Sequence, residues 1–292
     1  MQYEEKYRVY VEDIERALER ALPESDAPYR SVVQAMRYGV LGAGKRVRAI
    51  LLLEFCRACG GSWELAMPFA CAIEMVHAYS LIHDDLPCMD NDPLRRGKPS
   101  CWKAFGETAA LLAGDGLLTK AFETASGSTA PPDRALAALQ ILAQSAGDTG
   151  MLGGQVIDLE YENRPMPEEL LMRMYGQKTG ALLRAAVKIG CVLAGADENK
   201  IFFADQYAQK IGLAFQIVDD ILDVTGDEQA LGKPIGSDQE SGKTTFMTLY
   251  SLEEAQKQVE ALTDEARRLL DKFAWEDEFL CTLTDRLAVR KN

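Results

Sequence analysis

Two aspartate clusters stand within or directly after long apolar stretches, and they restrict the possible folds more than any other feature. The first runs from Asp84 to Asp92 as DDLPCMDND, and the second runs from Asp219 to Asp227 as DDILDVTGD. An ionised carboxylate in an apolar helix is costly unless it is paired or binds a cation. Mg²⁺ suits such groups, because one or two carboxylates hold it while water and phosphate oxygens complete its coordination. The clusters therefore predict two acidic walls that enclose a diphosphate.

Helical periodicity extends along the whole chain. Apolar residues recur at helical spacing, as in Val11-Ile14-Leu18 and in Leu252-Ala255-Val259. No convincing hairpin turn joins two alternating strands. No change in composition, repeat or linker divides the sequence. We expect one all-α domain over residues 1–292, a bundle of about ten to twelve helices around a central cavity.

Composition and charge favour a soluble enzyme. The net charge of −13 argues against nucleic acid and anionic membranes as partners. No apolar run approaches 18 residues, so we expect no membrane insertion. The charged, amphipathic beginning of the chain does not resemble a signal peptide. The seven cysteines are scattered and odd in number, which is typical of reduced thiols and predicts a cytoplasmic location.

The geometry of the second cluster is the simpler of the two. Asp219 and Asp223 are four residues apart, which places both carboxylates on one helix face. Asp220 lies about 100° around the helix from Asp219. In the first cluster, Asp84 and Asp90 are six residues apart and Pro87 lies between them. Either a kink at the proline brings Asp90 back beside Asp84, or Asp90 lies past the helix end.

Basic residues follow the acidic ones. Arg95 and Arg96 are adjacent guanidiniums, which suit bidentate contacts with phosphate. The turn Gly42-Ala43-Gly44 precedes Lys45 and Arg48, which we expect on one face of the helix that this turn opens. Glycine-rich turns and helix N-termini favour anions, so this segment predicts a second diphosphate site.

Other candidate groups are less regular. Lys178 and Thr179 lie between two glycines in a helical run, which predicts a kink. Lys233 and Lys243 lie in the glycine-rich stretch after the second cluster. Glu74 and His77 form an ExxH pair of the kind found in di-iron bundles, but such a site needs a second ExxH and the chain has only one other histidine.

The chain resembles the trans-prenyltransferases of the short-chain polyprenyl diphosphate synthase family, and among them it is most similar to bacterial farnesyl diphosphate synthases. The similar segments cover nearly the whole chain in the family's order. They are GKRVR from Gly44, HAYSLIHDDLPCMDND from His77, LRRGKPS from Leu94, FGETAALLAGDGLL from Phe105, GGQVIDL from Gly153, KTGALL from Lys178, FQIVDDILDVTGD from Phe215 and GKPIGSD from Gly232.

This resemblance implies the isoprenoid synthase fold, a homodimer and an Mg²⁺-dependent condensation of isopentenyl diphosphate with an allylic diphosphate. It implies three Mg²⁺ ions, whose ligands and neighbouring catalytic carboxylates would be Asp84, Asp90, Asp219 and Asp223, with Asp85 and Asp220 beside them. The allylic diphosphate would be bound by Arg95, Lys178, Thr179, Gln216, Lys233 and Lys243. The diphosphate of isopentenyl diphosphate would be bound by Lys45, Arg48, His77 and Arg96.

Product length depends on the floor of the cavity, which we expect one turn before Asp84 on the same helix. Ser80 would lie about 6 Å below Asp84 and Tyr79 about 7.5 Å below it. In the family, an aromatic residue here together with the widened motif DDLPCMD is typical of fifteen-carbon products. The sequence therefore predicts farnesyl diphosphate, with a twenty-carbon geranylgeranyl product as the alternative.

Two other classes of function share features with this chain. A terpene cyclase has the same fold and first acidic motif, but it normally carries an Asn/Ser/Glu metal triad in place of DDILD and has no use for the basic groups around Lys45 and Arg96. A non-catalytic partner subunit would have lost acidic ligands, and none is missing here. The elongating prenyltransferase is the favoured hypothesis.

Overall fold

The part of the chain that the structure describes consists of helices and one short β-hairpin. The computed structural model describes residues 2–42, 44–225, 242–273, 275 and 278–289. Within these residues the first helices and the hairpin are α1 (Tyr3–Ala21), α2 (Arg30–Val40), α3 (Val47–Ala58), α4 (Trp63–Asp84), β1 (Leu94–Arg95), β2 (Lys98–Pro99), α5 (Cys101–Phe105), α6 (Glu107–Ser126) and α7 (Pro132–Ala146). The remaining helices are α8 (Met151–Glu160), α9 (Glu168–Lys178), α10 (Gly180–Ala194), α11 (Glu198–Thr225), α12 (Phe246–Leu249), α13 (Leu252–Leu270) and α14 (Phe279–Ala288). The all-α expectation is confirmed.

Helix α4 is the centre of the larger core. It packs against α1, α2, α3, α6 and α10, and it buries side chains on most of its circumference, as an apolar helix must when it is surrounded by others. Its C-terminus delivers the first aspartate cluster to the edge of that core.

By length and composition α4 could also cross a membrane, which differs from the expectation that no segment would. It has a mean hydropathy of 1.5 over an 18-residue window, and 61% of that window is buried inside the structure. The central helix of a globular core passes the same test, so this one helix is weak evidence for a span.

Helix α11 joins two apolar cores. Its first half contributes Tyr207 and Ile211 to the larger core around α4, and its second half contributes Ile217 and Val218 to a smaller core with α9, α12 and α13. The second aspartate cluster begins at Asp219, directly after this change of partner. The helix thereby carries the second cluster toward the first.

The hairpin was not expected from the sequence. Leu94 pairs with Pro99 and Arg95 pairs with Lys98, and the two turn residues Arg96 and Gly97 have φ values of 55° and 74°. Positive φ at both central residues is the geometry of the tight turn that joins twisted antiparallel strands. The strands are only two residues long, so they leave no alternating pattern for sequence reasoning to detect.

Candidate active site

A polar cavity of about 410 Å³ lies between the two aspartate clusters. Its charged and polar lining residues are Asp90, Asp92, Arg95, Asp158, Glu162, Tyr175, Lys178, Gln216, Asp220, Lys243, Thr244 and Thr245. The predicted allylic-site residues Arg95, Lys178, Gln216 and Lys243 are therefore brought together in one wall. The predicted residue Lys233 lies outside the described residues.

Asp158 forms ion pairs with two of the lysines in this lining. The Lys178 Nζ atom lies 2.6 Å from Asp158 Oδ2, and the Lys243 Nζ atom lies 3.2 Å from the same oxygen. Burial would raise the pKa of Asp158, but the two ammonium groups outweigh it and hold this pKa below its usual value. Helix α8 can approach the end of α9 closely because Gly154 has no side chain. A Cβ at Gly154 would lie 2.2 Å from the Lys178 backbone nitrogen.

The first aspartate cluster straddles the end of α4. The helix ends at Asp84, and the backbone N–H of Asp90 donates to the Asp84 carbonyl oxygen across 2.9 Å. Burial raises the pKa of Asp84 to about 6, although Lys178 opposes this effect. Asp85 accepts a hydrogen bond from Arg95 Nε at 2.9 Å, while its burial raises the pKa of its carboxyl. Asp85 is thus turned toward the hairpin.

Among the described aspartates of the second cluster, Asp220 lines the polar cavity. Its carboxylate accepts hydrogen bonds from the Tyr175 hydroxyl, from the Phe246 N–H at 2.7 Å and from Gln216 Nε2 at 3.2 Å. Asp219 is half-buried and Asp223 is buried on the same helix. The metal-binding role expected of Asp219 and Asp223 stays a prediction. Both carboxylate oxygens of Asp220 accept hydrogen bonds from the protein.

A basic cavity of about 420 Å³ lies at the beginning of α3. It is lined by Gly44, Lys45, Arg46, Val47, Arg48, Glu74, His77, Arg96, Leu183 and Phe215. All of the residues predicted to bind isopentenyl diphosphate are in this lining. The Arg48 Nε atom is buried and has no hydrogen-bond partner among the described residues, as expected of a group that awaits an anion.

The expectation that Lys45 and Arg48 share one face of a helix is wrong for Lys45. Helix α3 begins at Val47, so Lys45 precedes it. The cause is Arg46, which adopts φ 52° and is buried, with Nη1 3.1 Å from Glu74 Oε2 and Nη2 2.6 Å from Glu15 Oε1. A left-handed residue cannot belong to a right-handed helix, and this anchored turn brings Lys45 to the cavity from a loop.

The hairpin gives the two adjacent arginines different neighbours, although both also line a third cavity of about 780 Å³. Arg95 lines the polar cavity and pairs with Asp85, whereas Arg96, at the turn, lines the basic cavity. His77 lies between basic groups, and burial, together with Arg48 and Arg96, lowers its pKa well below the usual range. The imidazole is therefore neutral, and it can face the cations without repulsion.

An apolar cavity of about 340 Å³ completes the site. Its walls include Tyr79, Ser80, Leu86, Met89, Leu111, Met151, Leu152 and Thr179. The polar and apolar cavities share Lys178, and the apolar and basic cavities share Arg48 and His77. Asp84 lines the apolar cavity at the level of Lys178. The apolar cavity therefore lies between the polar and the basic cavity and shares lining residues with each.

The sequence profile of the polyprenyl synthetase family matches residues 30–274. The chain belongs to this family. It is 42% identical over 280 residues to the farnesyl diphosphate synthase of Geobacillus stearothermophilus, covering 95% of this chain and 94% of the relative. It is also 42% identical over 284 residues to the geranylgeranyl diphosphate synthase of Cyanophora paradoxa, covering 96% and 94%. The crystal structure of an FPP/GFPP synthase from Zymomonas mobilis superposes with a TM-score of 0.88 at 37% identity, covering 98% of this chain and 99% of that one.

As a polyprenyl synthetase family member, the chain is a short-chain prenyltransferase. Relatives named for fifteen-carbon and for twenty-carbon products match at the same identity. Overall similarity therefore does not distinguish these products.

The sequence alone did not identify two residues of this polyprenyl synthetase site. Asp158 lies in the segment GGQVIDL, and an aspartate among Val156, Ile157 and Leu159 is the same signal that identifies the two clusters. The sequence offers Glu74 only as half of an ExxH pair. In the structure it accepts hydrogen bonds from Arg46 and from the Ala49 N–H at 3.2 Å, and so it fixes the turn before α3.

The carboxylates suit a metal ion only together with a bound diphosphate. Within the described ranges, no group of three or more acidic, histidine or cysteine side chains is placed to hold an ion by itself. The polar cavity is nonetheless lined by the carboxylates of Asp90 and Asp220 together with two lysines, and Asp84 lines the apolar cavity next to it. This set suits an ion that takes one or two carboxylates and completes its shell with phosphate and water, as Mg²⁺ does.

Proposed function

We propose that the chain condenses isopentenyl diphosphate head-to-tail with dimethylallyl or geranyl diphosphate, and that farnesyl diphosphate is its main product. The observation that carries this proposal is the arrangement of the three cavities. One anion site is lined by acids and lysines, a second is lined by Lys45, Arg48 and Arg96, and both open onto one apolar space. A terpene cyclase, with its single diphosphate, would have no use for the second site.

Mg²⁺ is the proposed cofactor, with three ions held by Asp84, Asp90, Asp219, Asp223 and the allylic diphosphate. When bound, it would supply positive charge that stabilises the departing diphosphate. A carboxylate-lined cavity would otherwise repel that ligand, since like charges at short range cost several kcal/mol in a partly buried site.

Side chains of the protein bind the allylic diphosphate and stabilise the allylic cation. Lys178, Lys243 and Arg95 bind the allylic diphosphate as its bond to the prenyl carbon breaks, which is electrostatic stabilisation by groups already in place. The Thr179 hydroxyl donates to Gln216 Oε1 at 2.9 Å, and Thr179 lines the apolar cavity where the allylic cation would form. The Thr179 oxygen would stabilise that cation, while the Gln216 amide oxygen is occupied by this hydrogen bond.

The second substrate reacts from the basic cavity. Lys45, Arg48 and Arg96 bind the diphosphate of isopentenyl diphosphate, and neutral His77 borders both its cavity and the apolar one. Its double bond attacks the cation. The released diphosphate accepts the proton that the new product loses, so no side-chain base is required.

Tyr79 supports the fifteen-carbon product. Its ring and Ser80 line the apolar cavity, and the Ser80 hydroxyl is turned away to donate to the His77 carbonyl at 2.9 Å. A phenol ring in the wall of a space of about 340 Å³ leaves room for a short prenyl chain. Cavity walls are close-packed, so a longer chain needs this ring to move or to be smaller.

The test is incubation of the purified chain with Mg²⁺, isopentenyl diphosphate and labelled dimethylallyl or geranyl diphosphate, followed by chromatography of the dephosphorylated products. We expect farnesol, and a shift toward twenty carbons or more for Tyr79→Ala and Tyr79→Met. A cyclised hydrocarbon, or no product with any allylic substrate, would contradict the proposed reaction. Geranylgeraniol from the unchanged protein would replace the proposed product by the alternative.

A homodimer is the proposed assembly. Exposed large apolar side chains are concentrated on three consecutive helices, α6, α7 and α8, where they are Leu111, Leu112, Leu136, Leu152 and Val156. Burial of such a face is the usual reason for a symmetric pair. Sedimentation at micromolar concentration should give twice the chain mass of 32.2 kDa. Leu136→Glu should weaken the pair and Phe202→Glu, on α11, should not; a monomeric wild type would contradict the assembly.

A further inference from the structure

Helix α6 leaves room for an imidazole at Gly114. A Cβ built on Gly114 would lie 2.0 Å from His83 Nε2 and 2.4 Å from His83 Cδ2. Such separations are far below van der Waals contact, so no other residue fits unless the ring moves. The side chain of His83 therefore packs directly on the backbone of α6.

His83 is also hydrogen-bonded to that helix. Its Nε2 atom lies 3.0 Å from the carbonyl oxygen of Leu111, one turn before Gly114. A carbonyl oxygen can only accept, so Nε2 carries the proton and donates. The side chain of the same Leu111 lines the apolar cavity. The bond consequently ties the end of α4 to the part of α6 that forms the cavity wall.

The other side of the imidazole supports Tyr79. The two rings lie one helical turn apart on α4, with centroids separated by 5.8 Å and planes inclined at 78°. This edge-to-face arrangement is the preferred one for aromatic pairs. Tyr79 and His83 both line the apolar cavity. A ring held on one side by α6 can thus fix the ring on its other side.

We propose that His83 is a positioning residue for product length: held by the Leu111 carbonyl in the space above Gly114, it keeps the Tyr79 ring across the apolar cavity. This inference rests on the proposed function, because it concerns the prenyl chain that grows in that cavity. His83 touches neither diphosphate site, since it lines neither the polar nor the basic cavity. Its loss should change where elongation stops more than it changes how fast condensation proceeds.

The test compares product distributions of the full-length chain and two variants. His83→Leu keeps a similar volume but cannot donate to Leu111, whereas the amide of His83→Gln can. We expect His83→Leu to raise the share of product one isoprene unit longer than the wild-type product at least about fivefold, with turnover within about tenfold of wild type. His83→Gln should keep the wild-type distribution. In a Tyr79→Ala background, His83→Leu should add little, because the ring that it positions is already absent.

The controls separate the possible failures. A wild type that forms no prenyl product would contradict the proposed function and not the role of His83. An unchanged distribution in His83→Leu, or an equal loss of all products, would overturn the positioning role. If His83→Leu does not fold, Gly114→Ala replaces it, since it displaces the ring from Leu111 without removing it. An unchanged distribution in Gly114→Ala would likewise overturn the inference.

Discussion

The backbone N–H of Asp90 donates to the carbonyl oxygen of Asp84 across 2.9 Å, so the two aspartates stand at either end of one closed loop. Of the two arrangements that the sequence allowed, Asp90 lies past the end of α4. Pro87 lies in the loop, where the helical ladder has already ended and a missing N–H costs nothing. The loop brings Asp90 to the polar cavity while Asp84 stays on the helix.

Asp84→Ala should abolish condensation and leave the fold intact. The change removes a proposed metal ligand at the cavity and little core volume, so turnover should fall by at least about a hundredfold, as for the loss of about 3 kcal/mol of transition-state stabilisation. Steady-state turnover with geranyl diphosphate, alongside circular dichroism, measures both. Asp133→Asn, an exposed aspartate on α7, is the control. Retention of more than a tenth of wild-type turnover by Asp84→Ala would contradict its assignment.

Asp84→Asn should stabilise the metal-free protein at neutral pH. Burial raises the pKa of Asp84 to about 6 in the folded state, so the folded protein binds this proton more tightly than the unfolded chain does. The stabilisation that comes from the protonated carboxyl of Asp84 is present in full below about pH 4 and is lost as the pH rises through about 6. At pH 7 the variant should be more stable by up to about 3 kcal/mol, from roughly 1.4 kcal/mol per pKa unit.

Urea unfolding of both proteins in a chelator at several pH values measures this difference. The free energy of unfolding of the wild type minus that of the variant should fall between about pH 4 and pH 6 and be constant above pH 7. Addition of Mg²⁺ with a diphosphate should reverse the order at pH 7, because only the carboxylate gains a cation. A difference that does not vary with pH would show that burial does not perturb Asp84.

Asp158→Asn should impair the allylic site alone. The substitution removes the charge that holds Lys178 and Lys243, whose Nζ atoms lie 2.6 Å and 3.2 Å from Asp158 Oδ2. We expect the KM for geranyl diphosphate to rise about tenfold, which is about 1.4 kcal/mol, while the KM for isopentenyl diphosphate changes little. Glu162→Gln is the matched control, because its carboxylate is 3.6 Å from Lys243 alone. An equal rise for both substrates would place Asp158 outside this role.

Arg95→Ala and Arg96→Ala should affect different substrates although the residues are adjacent. Arg96 lines the basic cavity with Lys45, so Arg96→Ala and Lys45→Ala should mainly raise the KM for isopentenyl diphosphate. Arg95→Ala and Lys178→Ala should mainly affect the allylic step, since both residues line the polar cavity. Loss of one charged phosphate contact is worth about 1.5–3 kcal/mol, or roughly tenfold to a hundredfold. Equal effects of all four changes on both substrates would contradict two separate anion sites.

Much of the helical architecture could be predicted because its causes are local. The apolar spacing along Val11, Ile14 and Leu18 recurs in α1, and the break expected near Thr179 separates α9 from α10. Helix propensity and a one-sided apolar stripe act over a few residues, so they can be seen in any short window of sequence. The acidic residues were recognisable for a similar reason, since charge among apolar neighbours is visible without any fold.

The sequence by itself determined which chemical groups the site contains, but only the tertiary structure decided which of them meet. Arg95 and Arg96 are neighbours in the chain, and a two-residue turn lets only Arg95 line the polar cavity and only Arg96 line the basic one. Asp158 and Lys243 are 85 positions apart and share an ion pair. Such pairings depend on backbone angles and burial that distant helices impose together, and no local pattern records them.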